Sequence, residues 1–370
     1  MQKVLIALKD MNIGGVEKSL LSLLDTINQS EYEVDLLLLE KKGGFLDSIP
    51  KWVNIIICDE YANIKEEVNQ PPMMVLKKHI KQGNVLRTIR LGIAYFMTTL
   101  TEDYSYYYKE IFKEIPKIQK KYDIAISYTS IINYLTWYVR FHVEAQKYIG
   151  WIHFDVSKLE FNRKLFLKLH KDMEKIYVVS EDAKGSFIKK FPELETKAQL
   201  KYNLIDRKKI ISLSQENVEI LRKEGEPIIV TLGRLTEEKG QDIVPEIAQQ
   251  LKRRGLKFTW YLIGDGNLRT KIEENKKKFN VTDCVVMLGT KPNPYPYLKQ
   301  ADVYVQTSIH EGYCITLAEA KVFELPIVST DFAGSREQLH GKLDSYVVER
   351  NVDNLTNAIE KIFYIISRKR

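Results

Sequence analysis

Two glutamates, Glu311 and Glu319, stand with seven residues between them in the segment His310-Glu311-Gly312-Tyr313-Cys314-Ile315-Thr316-Leu317-Ala318-Glu319. The first falls in a loop after an apolar strand, Val303–Gln306, and the second about one turn into the next helix. The helix N-terminus between them presents unsatisfied N–H groups and partial positive charge, a cradle for phosphate. The carboxylates on either side suit the hydroxyls of a sugar. Taken alone, the pair reads as a surface glutamate followed by an ordinary first-turn helix acid. A second segment changes that reading. Gly233-Arg234-Leu235-Thr236-Glu237-Glu238-Lys239-Gly240 follows the strand Ile228–Leu232 directly. Two cations in one glycine-bracketed loop suit a diphosphate, Arg234 as a fork and Lys239 as a point charge. A third segment, Ile263-Gly264-Asp265-Gly266, is a glycine-rich turn after a strand, where a tight βα turn is the plainer reading.

These loops need elements to hold them. In the first half, Lys3–Leu8, Val34–Leu39, Asn54–Cys58, Ile124–Tyr128, Lys147–Ile152 and Ile176–Ser180 read as strands. Val16–Ile27 is a helix with one apolar face, and Val34–Leu39 is apolar except for Asp35, as in a sheet covered on both sides. Ala62–Tyr122 reads as mostly helical. The pattern pauses at Leu200–Arg207, and Ile211–Gly225 reads as a polar helix or linker. A second alternating series runs from Ile228, through helices at Ile243–Arg254, Leu268–Phe279, Tyr295–Gln300 and Ile315–Phe323. Two such series predict an α/β protein of two doubly wound Rossmann-like domains, residues 1–205 and 206–370. In such sheets ligands bind beyond the carboxyl ends of the strands, which is where every candidate residue falls.

Composition bounds the class. The chain has 370 residues, 44% hydrophobic and 28% charged, as in a soluble two-domain protein. Cys58, Cys284 and Cys314 are scattered without a CxxC or His/Cys cluster, which fits reduced thiols in the cytoplasm and speaks against a zinc site. The apolar run Val4–Leu8 is too short for a signal segment, and nothing approaches the roughly 20 residues of a membrane span. The net charge of +7 is unevenly spread. Pro71–Thr101 has no acidic residue, carries Lys77, Lys78, Lys81, Arg87 and Arg90 among apolar side chains, and leads to four tyrosines within Tyr104–Tyr108. That composition suits the surface of an anionic membrane as well as an ordinary amphipathic helix. No nucleic-acid partner is expected.

In this order the segments resemble glycosyltransferase family 4, a retaining family of GT-B fold, in which two Rossmann-like domains face across a cleft. The resemblance runs from Gly14–Gly15 through GWIHFD around His153, VSEDAKGSF, YNLID, GRLTEEKG, IGDG and EGYCITLAEA to IVSTDFAGSREQL. It implies a nucleotide-diphosphate sugar as co-substrate, on family frequency a UDP-sugar. Arg234 and Lys239 would bind the diphosphate, Glu319 the ribose and Glu311 the transferred sugar. The N–H groups of Tyr313, Cys314, Ile315 and Thr316 would hold sugar and phosphate, with Gly264 in the same pocket. Gly14 and Gly15 would let backbone approach the phosphates, and His153 would face the sugar across the cleft. The family often has glycine at the position of Cys314, and many relatives continue past the position of Arg370 into a helix that packs back on the N-terminal domain. No Asp-x-Asp occurs, so no metal is expected. Relatives with the MNIGGVEK opening resemble bacterial capsule and exopolysaccharide enzymes, implying a glycan or undecaprenyl-diphosphate-linked acceptor and a place on the inner face of the cell membrane. Rival readings are a GT-B sugar-nucleotide epimerase or hydrolase, a non-catalytic sugar-nucleotide-binding partner of another transferase, and a dinucleotide oxidoreductase. The last lacks GxGxxG in the first βα turn.

Overall fold

The computed structural model describes residues 1–369, so Arg370, the expected end of the second domain, lies outside the described residues. The chain divides into two compact units: Met1–Val179 with Lys184–Lys201, and Ser180–Ala183 with Tyr202 onward. The change at Lys201 falls four residues before the expected boundary at 205.

The first unit opens with β1 (Gln2–Leu8), α1 (Gly15–Leu24), β2 (Tyr32–Leu38) and β3 (Asn54–Ile57). A helical insertion follows: α2 (Tyr61–Asn69), α3 (Pro72–Lys81), α4 (Val85–Thr101) and α5 (Ser105–Ile111). The chain then returns through β4 (Lys121–Ser127), α6 (Asn133–His142), β5 (Glu144–Ile152), α7 (Arg163–His170), β6 (Lys175–Val178), α8 (Glu181–Lys190) and β7 (Ala198–Leu200). The strands form one parallel sheet in the order β3-β2-β1-β4-β5-β6-β7. Its direction of winding reverses between β1 and β4.

One residue of β2 breaks the apolar run for a structural reason. Asp35, 1% exposed, accepts hydrogen bonds from Lys120 Nζ at 2.7 Å, Tyr122 Oη at 2.6 Å and Asn54 Nδ2 at 2.9 Å. Burial works to raise its pKa, but these three donors outweigh it and hold the carboxyl below its ordinary value. The resulting stabilisation is present above the unfolded carboxyl pKa and is lost as pH falls through the depressed folded value. Asp35→Ala, which leaves the buried Tyr122 hydroxyl without its acceptor, is expected to lower stability by about 3 kcal/mol in urea denaturation.

The second unit continues with α9 (Arg207–Leu213), β8 (Ile228–Leu232), α10 (Val244–Arg253), β9 (Thr259–Ile263), α11 (Arg269–Lys278) and β10 (Val285–Gly289). It ends with α12 (Tyr295–Lys299), β11 (Val303–Gln306), α13 (Ile315–Lys321), β12 (Ile327–Thr330), α14 (Ser335–Leu339), β13 (Ser345–Val348) and α15 (Val352–Lys369). Its parallel sheet has the order β10-β9-β8-β11-β12-β13 and reverses between β8 and β11. Alternate residues of β8 enter different cores. Ile229 packs with Trp260 and Val305 beneath α10 and α15, while Val230 packs with Tyr261, Tyr304 and Leu317. Covering both faces is what makes these strands continuous apolar runs.

Of the two readings of Ile211–Gly225, polar helix or linker, the structure shows the linker for most of its length. The helix starts earlier, at Arg207, capped by the Asp206 carboxylate accepting from Lys209 N at 2.9 Å. It stops at Leu213, and the chain to Gly225 is without regular structure.

Candidate active site

The sheet reversal in the second unit sets the loop after β8 beside the loop after β11. Backbone and side-chain hydrogen bonds sew them together. Thr307 Oγ1 donates to the Lys239 carbonyl at 2.9 Å, and Ile309 N donates to the Glu238 carbonyl at 2.8 Å. Gly240 makes the approach tight: at φ +63° it lies in the left-handed region, and a Cβ there would stand 2.6 Å from the Thr307 carbonyl oxygen.

Across this seam Lys239 Nζ donates to Glu311 Oε1 at 2.5 Å. Both side chains are largely enclosed, 16% and 12% exposed. Burial works to lower the Lys239 pKa, but the Glu311 carboxylate outweighs it and the ammonium is held above its ordinary value. The stability this adds is complete below the ordinary lysine pKa and is lost only as pH rises through the elevated folded value. Glu311 uses one of the three ammonium hydrogens, leaving two for another anion. Arg234 stands close enough to oppose the lysine's charge. It is exposed, with Nη2 3.3 Å from Glu238 Oε1, and so sets a second cation on the outer side of the loop.

Behind Glu311 lies a polar row. Ser308 Oγ donates to Glu311 Oε1 at 2.7 Å, Gln306 Nε2 donates to Ser308 Oγ at 2.7 Å, and Tyr304 Oη donates to Gln306 Oε1 at 2.5 Å. All three side chains are buried. On the other flank, Ser180 Oγ donates to the Gly312 carbonyl at 2.7 Å and fixes the turn after the glutamate. Tyr313 to Thr316 then lead into α13. Cys314 is its N-cap, with Sγ 3.3 Å from Thr316 Oγ1. Burial first, and the nearby Glu311 carboxylate next, push the Cys314 thiol up to about 12, so it stays neutral. Glu319, on the first turn and a half of α13, is 1% exposed and accepts from Tyr295 Oη at 2.9 Å. That contact ties it to α12.

Of the residues singled out in this unit, the structure thus joins Lys239 directly to Glu311 and places Arg234 nearby. Gly264 is placed differently. At φ +144° its missing Cβ makes room for the Gly233 carbonyl oxygen, which an added Cβ would meet at 2.0 Å. It seats one loop on another rather than facing open space. In the first unit, Gly14 caps α1 with an extended φ of −154°, which any residue adopts, so its backbone does not demand glycine. His153 follows β5, is 6% exposed, and lies against Trp151 and Tyr128 at ring separations of 5.8 Å and 4.7 Å. Tyr128 Oη is also 2.9 Å from Ser19 Oγ on α1, so one tyrosine links the histidine to the helix headed by Gly15.

Residues 214–365 match the protein family described as glycosyl transferases group 1. The matched segment makes up most of the second unit. An uncharacterised glycosyltransferase of Methanocaldococcus jannaschii is 30% identical over 173 residues, 46% of this chain and 43% of that one. A Campylobacter jejuni enzyme named as an N-acetylgalactosamine-N,N'-diacetylbacillosaminyl-diphospho-undecaprenol 4-alpha-N-acetylgalactosaminyltransferase is 26% identical over 180 residues, 48% of this chain and 47% of that one. The chain thus spans less than half the length of these curated relatives. Similarity of structure extends further. TarM of S. aureus, solved with UDP, fondaparinux and alpha-GlcNAc-glycerol, superposes with a TM-score of 0.68 at 13% identity, over 98% of this chain and 93% of its own. The fold is that of GT-B glycosyltransferases, two Rossmann-like α/β units.

Proposed function

We propose that this protein is a retaining, metal-independent glycosyltransferase that takes a sugar from a UDP-sugar and places it on a glycan or an undecaprenyl-diphosphate-linked oligosaccharide in bacterial surface polysaccharide synthesis. The observation that carries the reading is the Lys239–Glu311 pair at the β8/β11 reversal, inside the matched glycosyltransferase segment. In the reaction, the bond from anomeric carbon to phosphate oxygen breaks as an acceptor oxygen bonds to the same face of that carbon. The acceptor's proton passes to a phosphate oxygen of the departing nucleoside diphosphate. Lys239 and Arg234 face the charge that grows on that leaving group. Glu311 takes a hydroxyl of the transferred sugar, the Tyr313–Thr316 backbone holds sugar and phosphate, and Glu319 takes the ribose. Roles for His153 and the Gly14–Gly15 backbone in handling the sugar and its phosphates belong to the same proposal, as does acceptor binding by the first unit. Metal independence is proposed because this cationic pair supplies the charge and the sequence has no Asp-x-Asp. The names of the relatives support the acceptor class: one is named for an undecaprenyl-linked acceptor. A protein acting on such an acceptor works at the inner membrane face, with contact through residues 71–101.

Thermal-shift and hydrolysis screens across UDP-, GDP- and dTDP-sugars test the donor. A UDP-sugar is expected to raise Tm most, with turnover undiminished by EDTA. Rapid epimerisation of a UDP-sugar with no acceptor present would sink the transferase reading in favour of an epimerase. Unchanged activity of Lys239→Ala in a reconstituted system would instead make the chain a non-catalytic partner.

A further inference from the structure

The insertion α2–α5 rearranges the basic stretch of the first unit. Lys78 is paired with Glu66, Arg87 with Glu67, and Arg90 with Glu110 at 2.5 Å. Three of the five cations are therefore neutralised within the fold. Tyr104, Tyr107 and Tyr108 also turn inward, while Tyr106 stays exposed. Tyr107 is buried, and Tyr108 packs on Phe112 and Trp137. Much of what remains on the outside is apolar. Leu86, Ile89, Ile93, Phe96 and Leu100 follow one another at spacings of three and four along α4, each between 53% and 71% exposed. The opposite face of α4 is already buried through Leu91 and Thr98. A helix apolar on both faces is one whose outer face is made to be covered. Met73 and Ile80 of α3 add to the exposed apolar surface, with Lys77 and Lys81 exposed on the same helix and, among the described residues, outside any ion pair.

We propose that the outer face of α3 and α4 docks on the surface of an anionic lipid bilayer, with insertion of the α4 stripe as the main attraction and Lys77 and Lys81 as a lesser one. This deepens the membrane contact in the reading above without depending on the transfer chemistry. Charge decides between a bilayer and a second copy of the chain. A two-fold interface pairs a patch with itself. This patch offers lysines and, from Pro71 to Thr101, no carboxylate to meet them. Anionic headgroups supply the missing sign. Among the described residues no helix is long and apolar enough to cross the membrane, so the contact is superficial.

The test is sedimentation of the full chain with vesicles of phosphatidylcholine and phosphatidylglycerol. Binding is expected to persist at about 0.5 M NaCl, where exposed charges are largely screened. Ile93→Asp with Phe96→Asp is expected to weaken it by about a hundredfold. Lys77→Glu with Lys81→Glu is expected to weaken it by about tenfold. Both pairs lie on the surface, and an unchanged far-UV spectrum and Tm confirm that they fold. Failure to sediment, complete release by salt, or indifference to Ile93→Asp with Phe96→Asp overturns the proposal. So does a concentration-dependent doubling of mass that this pair abolishes, which gives the face to a second copy. A chain that transfers sugar yet ignores vesicles overturns this inference alone; one that binds vesicles yet transfers nothing overturns the function and leaves this standing.

Discussion

Lys239→Ala is expected to slow sugar transfer by about a thousandfold in kcat, the largest effect of any single substitution in this protein. The estimate is the scale seen when one preorganised electrostatic contact to developing charge is removed. A second effect accompanies it, because Glu311 is enclosed and loses its cation. Stranding a carboxylate in this way costs about 3 kcal/mol of stability. The two effects separate in a double-mutant cycle. Glu311→Gln removes the stranded charge, so Lys239→Ala with Glu311→Gln is expected to recover Tm but not kcat. Recovery of both would make the pair purely structural, and steady-state kinetics with matched thermal melts decides. Below the ordinary lysine pKa this ammonium stays charged, so the acidic and neutral limbs of a pH–rate profile are not expected to report it.

The second large effect is on the scaffold. Gly264→Ala is expected to destabilise the second unit by at least about 3 kcal/mol, since the added Cβ meets backbone, which cannot swing aside. The Gly233 carbonyl oxygen would be 2.0 Å away and its carbon 2.8 Å. Three further backbone links hold the same loops: Gly233 N to the Ile263 carbonyl at 3.0 Å, Leu235 N to the Asp265 carbonyl at 3.0 Å, and Gly264 N to the Gly289 carbonyl at 2.9 Å. The shift therefore passes to Arg234 and is expected to abolish donor-induced thermal stabilisation. Gly185→Ala serves as the control. Its Cβ position is open and helical, so it is expected to be neutral or to stabilise by about 0.5–1 kcal/mol. Equal Tm values for Gly264→Ala and the parent would show that the loops yield.

Where burial on both faces imposed a continuous apolar run, the elements were legible before the structure. Ile228–Leu232 and Val303–Gln306 are strands with the bounds expected of them. Short or polar elements were not. β7, with three residues, and β13, whose residues are only partly buried, carry too little pattern to stand out. α13 ends at Lys321, two residues sooner than its apolar spacing suggested. The site was legible in its charges and not in its supports. Residue types and spacing brought out Arg234, Lys239, Glu311 and Glu319. Tyr304, Gln306 and Ser308 were hidden in a strand and its exit, where polar side chains at every second position are the one signal that one face is wired. In α4 the error of emphasis ran the other way. The arginines looked like exposed charges and are instead paired within the fold, because carboxylate partners reach them from α2 and α5.

That buried row has a direction. A carboxylate only accepts, so Ser308 must give its hydrogen to Glu311 and receive one from the Gln306 amide. The amide oxygen then points the other way, and the Tyr304 hydroxyl must donate to it. No member can reverse without leaving two hydrogens or two lone pairs face to face. Glu311 Oε1 is consequently saturated by Lys239 and Ser308, and Oε2 is the oxygen that remains for an arriving hydroxyl. The row works as a one-way ratchet: it fixes which of two chemically identical atoms is left open, and under the proposed function it would fix the angle at which a sugar hydroxyl is held.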